Sequence, residues 1–375
     1  MNKPILSIII RHRNEFTNLR HTTNELARNW SDPRLEIIIV DDASDVPIPN
    51  ELKLNPNLRC VRHDARQGSG AAVDTGAAIA NGDWLLILDA HMTFDANWFD
   101  VFLTRVNQWP STDLISCAYR SRLKFDYYSA RPHGIRMAWG KTLDYVCRGE
   151  SGGYRLWDGD FIISAPTLGP TSDKFGRALP AAKLPPAEIP CPIGGAYFVH
   201  RDQWRRMGGM AGVPWRGYFE QNATARIWRV GGVCRVDPMI PIAHVWQGGD
   251  QIESGGDRQR WIWNAMAGLW LTLERDQFDR WSSAFSSPLV NCAKKELEKR
   301  EPELSTIRQK LAVHWVRSMN EYDARWGIDP PESVAKKMLA HRSMLSNSIP
   351  RSSAHPVVEE IWRAGKETEP QPIAK

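Results

Sequence analysis

The sequence predicts an α/β protein with a mostly parallel sheet flanked by helices. Three observations carry this. Short apolar runs of strand length recur at Ile5 to Ile10, Leu35 to Val40 and Trp84 to Leu88, and continuous apolar runs suit strands buried on both faces of a parallel sheet. Helical stretches lie between them, one reaching to about Trp30 and one from Ala71 to Ala80, giving the strand–helix–strand alternation that a parallel sheet needs. Polar residues follow each run, and open α/β sheets bind ligands outside the carboxyl ends of their strands.

The first run stops at Arg11-His12-Arg13, and Asn14-Glu15 leads into the first helix. The second ends in Asp41-Asp42-Ala43-Ser44-Asp45. Two acids just past a strand fit hydrogen bonding to a nucleoside base or ribose, and they equally fit a polar turn. Val61 begins a short third element. Arg66-Gln67-Gly68-Ser69-Gly70 then opens a helix, and a glycine-rich turn at a helix N-terminus can receive phosphate. After the turn Asn81-Gly82-Asp83 comes the strand Trp84 to Leu88, which ends abruptly in Asp89-Ala90-His91. Alternate strand residues point the same way, so Asp89 and His91 share a side. A carboxylate beside an imidazole is half of a divalent-metal site. The local pattern alone leaves open a simple Asp/His turn.

Residues 121–190 are rich in Gly, Pro, Arg and Tyr with little periodicity. So long a loop region in a compact domain is usually functional or disordered, and it is expected to cover the active site and meet the acceptor. Order returns at Cys191-Pro-Ile-Gly194-Gly195-Ala-Tyr-Phe-Val199, then a helix near Arg201–Met207 and the segment Gly217 to Trp228. A short strand, Val233 to Val236, leads to Pro241-Ile-Ala-His244-Val-Trp246. From about 251 the chain reads as helical. Leu304, Ile307, Leu311 and Trp315 fall at helical spacing, and Pro302 suits the first turn of that helix. Beyond about 347 the tail is polar and expected to fray.

Composition narrows the class. The 375 residues are 42% hydrophobic and 24% charged with net charge +5: a globular chain, compatible with an anionic ligand but without a basic tail. Seventeen Trp are unusual; indoles stack on sugars and bases but also fill cores. Six scattered cysteines without a Cys-x-x-Cys pair point to free thiols in a reducing compartment. The first apolar run is far shorter than the ~20 residues of a membrane span and lacks a signal-peptide pattern. A soluble cytoplasmic protein is expected.

In order along the chain, Ser7-Ile-Ile-Ile with Asn14-Glu15, Val40-Asp41-Asp42-Ala-Ser44, Gly82-Asp83 through Asp89-Ala90-His91, Gly194-Gly195-Ala196, Arg226-Ile-Trp-Arg-Val-Gly-Gly232 and His244-Val-Trp246 resemble family 2 glycosyltransferases with the Rossmann-like GT-A fold. In places they are closer to the polypeptide N-acetylgalactosaminyltransferases. The resemblance implies a division into 1–250 as the GT-A domain, with 1–105 its nucleotide-sugar half and 106–250 its acceptor half, a helical C-terminal extension at 251–346, and a flexible tail at 347–375. Asp89-Ala90-His91 would be an Asp-x-His form of the metal motif, completed by His244. A Mn²⁺ or Mg²⁺ ion there would neutralise charge on a leaving nucleoside diphosphate. Asp42, with Asp41 beside it, matches the acid that contacts uracil. Arg11, Arg13, Arg66 and Gly195 occupy donor-contacting positions. Two departures stand out: Arg11 replaces a common Pro, and Ala72-Val73-Asp74-Thr75-Gly76 replaces Ala-Arg-Asn-x-Gly.

For the catalytic base two registers are open. Counting back from Arg226 without a gap puts Glu220 on the basic Asp of inverting family members. A shift of one puts Glu220-Gln221 on the Glu-Asn of retaining ones. The ungapped register is preferred, giving an inverting transfer from a UDP-sugar to an acceptor hydroxyl with Glu220 as base. The acceptor stays open between a glycan, a protein hydroxyl and a hydroxymethylated base in DNA. Arginines at 120, 122, 131, 136, 148 and 155, with the abundant Trp, would suit DNA. The reading from a different class is a GT-A module that binds nucleotide or sugar without catalysis.

Overall fold

The computed structural model describes residues 3–29, 31–49, 57–117, 119–123, 127–131, 133–135, 162–164, 186–192, 195–237, 239–246, 254–284 and 288–326. Most of the expected long loop, Gly194 and the tail after 347 lie outside these residues.

The first half alternates as expected: β1 (Leu6–His12), α1 (Phe16–Leu26), β2 (Leu35–Asp41), β3 (Leu58–Arg62), α2 (Ser69–Ile79) and β4 (Trp84–Asp89). β5 (Met92–Phe94), α3 (Trp98–Arg105), β6 (Leu114–Cys117), β7 (Tyr119–Leu123), β8 (Tyr127–Arg131), β9 (His133–Ile135) and β10 (Ile162–Ser164) follow. Then come β11 (Ala187–Ile189), β12 (Ala196–His200), α4 (Arg201–Arg206), α5 (Phe219–Arg229), β13 (Cys234–Asp237) and β14 (Ile242–Trp246). Four helices close the described chain: α6 (Ser254–Thr272), α7 (Arg275–Ala284), α8 (Pro288–Ala312) and α9 (Met319–Trp326).

The main sheet has the order β11-β13-β6-β12-β4-β1-β2-β3. β3, β2, β1 and β4 run parallel, and β6 pairs parallel with β13, while β12 and β11 run against their neighbours. Strand parity decides what each face holds. Leu6, Ile8, Ile10, Leu86 and Leu88 join a core with α1 and α3; Ile9, Leu85, Ile87, Tyr197 and Val199 face a second core with α2 and α5. Continuing that alternation, Arg11 of β1, Asp89 of β4 and Tyr197 of β12 belong to the second face: Arg11 pairs with Asp89, and Tyr197 pairs with Ile87, two residues before Asp89. The C-terminal helices bury Ile262, Trp263, Met266 and Trp270 in this same core.

A second sheet, β5-β14-β7-β8, stands beside the carboxyl ends. In it β14 pairs with both β5 and β7, which places His244 opposite Met92 and Ser121. The β7–β8 hairpin extends into the segment expected to be loop. Its short polar strands carry none of the apolar periodicity that marks β1, β2 and β4.

Pro302 corrects another expectation. It lies inside the 25-residue helix α8 rather than in its first turn, because the helix-forming run from Ala293 to Glu301 carries the helix through. Leu304 and Leu311, at the expected helical spacing, are buried in the core. Among the described residues Cys191, Cys234 and Cys292 are free thiols, and no helix is long and apolar enough to cross a membrane.

Candidate active site

At the carboxyl ends of β1 and β4 three side chains from two sheets converge. Asp89 ends β4, His91 sits in the tight turn into β5, and His244 comes from β14. One ligand atom from each can be chosen so that all lie within 4.8 Å of one another. The Nε2 atoms of His91 and His244 are 3.0 Å apart, and each is 3.7 Å from Asp89 Oδ2. Two ligands at right angles around an ion at roughly 2.1 Å sit about 3 Å apart, so the imidazole pair has the spacing a cation needs, and a small inward movement of Asp89 closes the third edge. Two imidazoles and a carboxylate suit a transition-metal ion better than Ca²⁺. The side chains stay 14–20% exposed, open enough for a ligand to enter.

The backbone is shaped around this point. Gly195 has φ +107°, and a Cβ there would stand 2.8 Å from the His244 ring. Its carbonyl accepts the Asp89 N–H at 3.0 Å, and its own N–H donates to the Tyr197 hydroxyl at 3.1 Å. Tyr197 in turn donates to Glu220 Oε1 at 2.6 Å. Glu220 occupies the first turn of α5, whose N-cap Tyr218 is left-handed at φ +59°. Gly217, before it, must lack a side chain because Trp261 of α6 lies on it. Asn264 of α6 fixes this entry: its Oδ1 accepts the Trp215 N–H at 3.1 Å and its amide donates to Gly217 O at 3.1 Å.

Arg11 lies between the two acids. Its guanidinium donates to Asp89 Oδ1, from Nε at 2.8 Å, and stacks 4.7 Å over the Phe219 ring. Burial opposes its charge, but Asp89, Tyr197 and Glu220 together keep it a firm cation. Burial likewise opposes the Asp89 carboxylate, yet Arg11 and the two histidines hold it well below the usual range. The imidazoles diverge. Burial would lower His91, but its hydrogen bond to Glu15 and the Asp89 charge raise it; burial prevails at His244 and lowers it.

The β2–α2 corner is built differently. Asp41 Oδ1 accepts the Ser44 N–H at 2.8 Å, and Oδ2 binds Arg62. Asp42 Oδ1 accepts from Gln67 N at 2.7 Å and His63 Nδ1 at 2.9 Å, while Oδ2 accepts from Gly68 N at 2.8 Å. Arg13 donates to the carbonyls of Asp42 and Ala43 at 2.9 and 2.8 Å. Arg66 follows β3, half-buried, just before the glycine turn. That turn is not an open phosphate cradle: the Pro214 carbonyl already accepts the N–H groups of Gly70 and Ala71 at 2.7 and 3.2 Å, and it approaches so closely that only glycine fits at 68. The residues that depart from Ala-Arg-Asn-x-Gly have structural partners too. Asp74 accepts from Met210 N at 3.0 Å and Trp204 Nε1 at 3.1 Å, and Thr75 bonds His63 Nε2 at 2.9 Å.

Sequence reasoning gave Tyr197 and Glu15 no role. Tyr197 was legible as a polar tip two residues beyond Gly195, on the face shared with Asp89. Glu15 was legible through its place just past a strand end and in the Asn14-Glu15 pair, neither of which says what it bonds.

The sequence profile of glycosyl transferase family 2 matches residues 7–156. Human polypeptide N-acetylgalactosaminyltransferase 10 is 26% identical over 256 residues, 65% of this chain and 38% of that protein. Human polypeptide N-acetylgalactosaminyltransferase 12 is 26% identical over 254 residues, 65% of this chain and 40% of that protein. The chain thus spans about two fifths of the length of these relatives. The solved structure of GalNAc-T7 with UDP, GalNAc and Mn2+ superposes with a TM-score of 0.60 at 18% identity, over 87% of this chain and 57% of that one.

Proposed function

We propose that this chain, which carries a glycosyl transferase family 2 domain on a GT-A fold, transfers a sugar from a nucleotide-sugar donor to an acceptor hydroxyl with the help of a divalent cation. The observation that carries the reading is the convergence of Asp89, His91 and His244 at the carboxyl edge of the sheet, joined to Glu220 through Gly195 and Tyr197. When bound, the ion neutralises charge gathering on the departing diphosphate, and Mn²⁺ fits the ligand set. UDP is the proposed nucleotide, in keeping with the UDP bound by GalNAc-T7.

The chain's own residues supply the rest. Glu220 takes the proton of the attacking hydroxyl, in the inverting register. Tyr197 holds Glu220 Oε1. Burial pushes its hydroxyl well above the usual phenol range, so it remains a donor. Arg11 keeps a positive charge beside Asp89 and Glu220. Asp41 and Asp42 serve the donor indirectly, by fixing the turn at 41–45 and the entry to α2.

Labelled UDP-sugars incubated with Mn²⁺ and an acceptor panel (peptides, glycans, lipid phosphates and hydroxymethylated DNA) test this. Transfer, or at least donor hydrolysis, should appear with Mn²⁺ and vanish with EDTA. Donor binding without any turnover would favour the non-catalytic module.

A further inference from the structure

We infer that Glu15 is the positioning residue that sets the orientation and tautomer of His91, making a carboxylate–histidine–metal relay. The inference rests on the metal-site reading above and goes one layer outward. His91 Nδ1 is 2.8 Å from Glu15 Oε2. A carboxylate accepts there, so the proton is on Nδ1. In the neutral ring Nε2 is then bare, and Nε2 is the nitrogen that faces His244 and Asp89. Such outer carboxylates orient a metal-bound imidazole and raise its basicity.

Three further features aim Glu15. Asn14 adopts φ +55°, a conformation that is uncommon outside glycine and that Asn tolerates better than most residues. It is held there because its N–H donates to Ser44 Oγ at 3.0 Å and its Oδ1 accepts the Asp45 N–H at 2.8 Å. The β2 turn therefore dictates where Glu15 points. Glu15 is the N-cap of α1 yet its side chain caps no backbone group of that helix, which leaves the carboxylate to His91, with only a long 3.4 Å contact from Asn18. Two turns along α1, Thr22 clamps the same loop: its hydroxyl donates to Ala90 O at 2.8 Å and accepts the Met92 N–H at 2.9 Å. Residues seven apart lie on one helix face, so α1 grips the loop carrying His91 from both ends.

The test uses the full chain and two readouts. Manganese binding is followed by the electron-spin resonance of free Mn²⁺, and the His91 tautomer by long-range ¹H–¹⁵N spectra of metal-free protein, recorded at a pH high enough for the ring to be neutral, since Glu15 and Asp89 raise it. Glu15→Ala should weaken Mn²⁺ binding about 10- to 100-fold and turn the single Nδ1–H form of His91 into a mixture. Glu15→Gln keeps an acceptor without the charge and should fall between Glu15→Ala and the wild type; it also serves if the alanine variant folds poorly. Wild-type Mn²⁺ affinity and an unchanged tautomer in both variants, with binding lost in His91→Ala, would overturn the inference and leave the metal site standing. Undiminished binding in His91→Ala would remove the metal site and the relay together.

Discussion

The two acidic corners of this sheet use the same residue types to opposite ends. At the β4–β5–β14 corner, Asp89, His91 and His244 remain 19%, 20% and 14% exposed and turn their polar atoms toward one shared point. At the β2–α2 corner, the Asp41 and Asp42 side chains are 2% and 6% exposed, and both oxygens of each are bonded within the protein. Each set starts from an acid that ends a buried strand, Asp89 in β4 and Asp41 in β2. The first arrangement gathers ligand atoms from three side chains within reach of one ion; the second satisfies its carboxylates with backbone N–H groups, Arg62 and His63 and so stiffens the turn between strand and helix. An acid at a strand's carboxyl end therefore says little until its partners are known.

The largest effects should fall on the open corner. Asp89→Ala and His244→Ala each remove a ligand from a three-residue set, and either should abolish transfer and Mn²⁺-dependent donor binding. Full activity of either variant in EDTA would erase the contrast between the corners. Next comes Glu220→Gln. It keeps an acceptor for Tyr197 but cannot take a proton, so turnover should fall about a hundredfold to ten-thousandfold with Mn²⁺ affinity barely changed. Product stereochemistry sharpens the point: an inverted, β-linked product from an α-linked donor supports Glu220 as base. A retained α-linkage would move the alignment by one position and recast Glu220 as a positioning residue.

The internal corner should respond in stability first. Asp42→Ala leaves the N–H groups of Gln67 and Gly68 and His63 Nδ1 without their acceptor. Unsatisfied buried donors are expensive, about 1–3 kcal/mol each, so a loss on the order of 3 kcal/mol is expected in denaturant unfolding. A variant that unfolds like wild type but binds UDP many-fold more weakly would show that Asp42 acts on the nucleotide itself.

These contrasts mark how far the sequence could be read. β1, β2 and β4 were visible because buried strands are written as apolar runs, with Ser7 and Glu36 the single polar residues inside the first two, and Asp89-Ala90-His91 was visible because it ends the third. His244 could be placed beside them only by resemblance, since strand pairing in a second sheet brings it across 153 positions. The partners of Asp42 and the Pro214 carbonyl under α2 were not legible at all. Nothing local to Gly68-Ser69-Gly70 says that another segment fills its N–H groups. The Trp surplus also changes meaning. Trp98, Trp263 and Trp281 are buried outright, and Arg260, Arg308, Arg317 and Arg229 stack on Trp215, Trp270, Trp228 and Trp315. Among the described residues many of the indoles thus pack the two cores, which weakens one of the features that favoured a DNA acceptor.

The smallest effect is expected where the two corners are tied together. Asp74 of α2 accepts from Trp204 and Met210, and Arg226 of α5 donates to the carbonyls of Gly209 and Ala211 at 2.7 and 2.6 Å. The two side chains attract, but burial prevails over that attraction in both: it raises the Asp74 carboxyl to about 6 and lowers Arg226 to about 10. An acid whose folded pKa lies above its unfolded value binds its proton more tightly when folded. Its contribution is therefore complete below the unfolded value near 3.8 and is lost as the pH rises through about 6. Wild-type stability should accordingly carry a component that declines between about pH 4 and pH 6. Asp74→Asn keeps an oxygen for Trp204 and Met210 but cannot titrate, so the difference in unfolding free energy between variant and wild type should change across that window, in favour of the variant at the higher pH. A difference that stays flat from about pH 4 to pH 7 would mean that Asp74 is ionised throughout. The link between α2 and the helix bearing Glu220, which runs through the hydrogen bonds of both side chains to residues 204–211, would then carry a charge attraction between Asp74 and Arg226 as well.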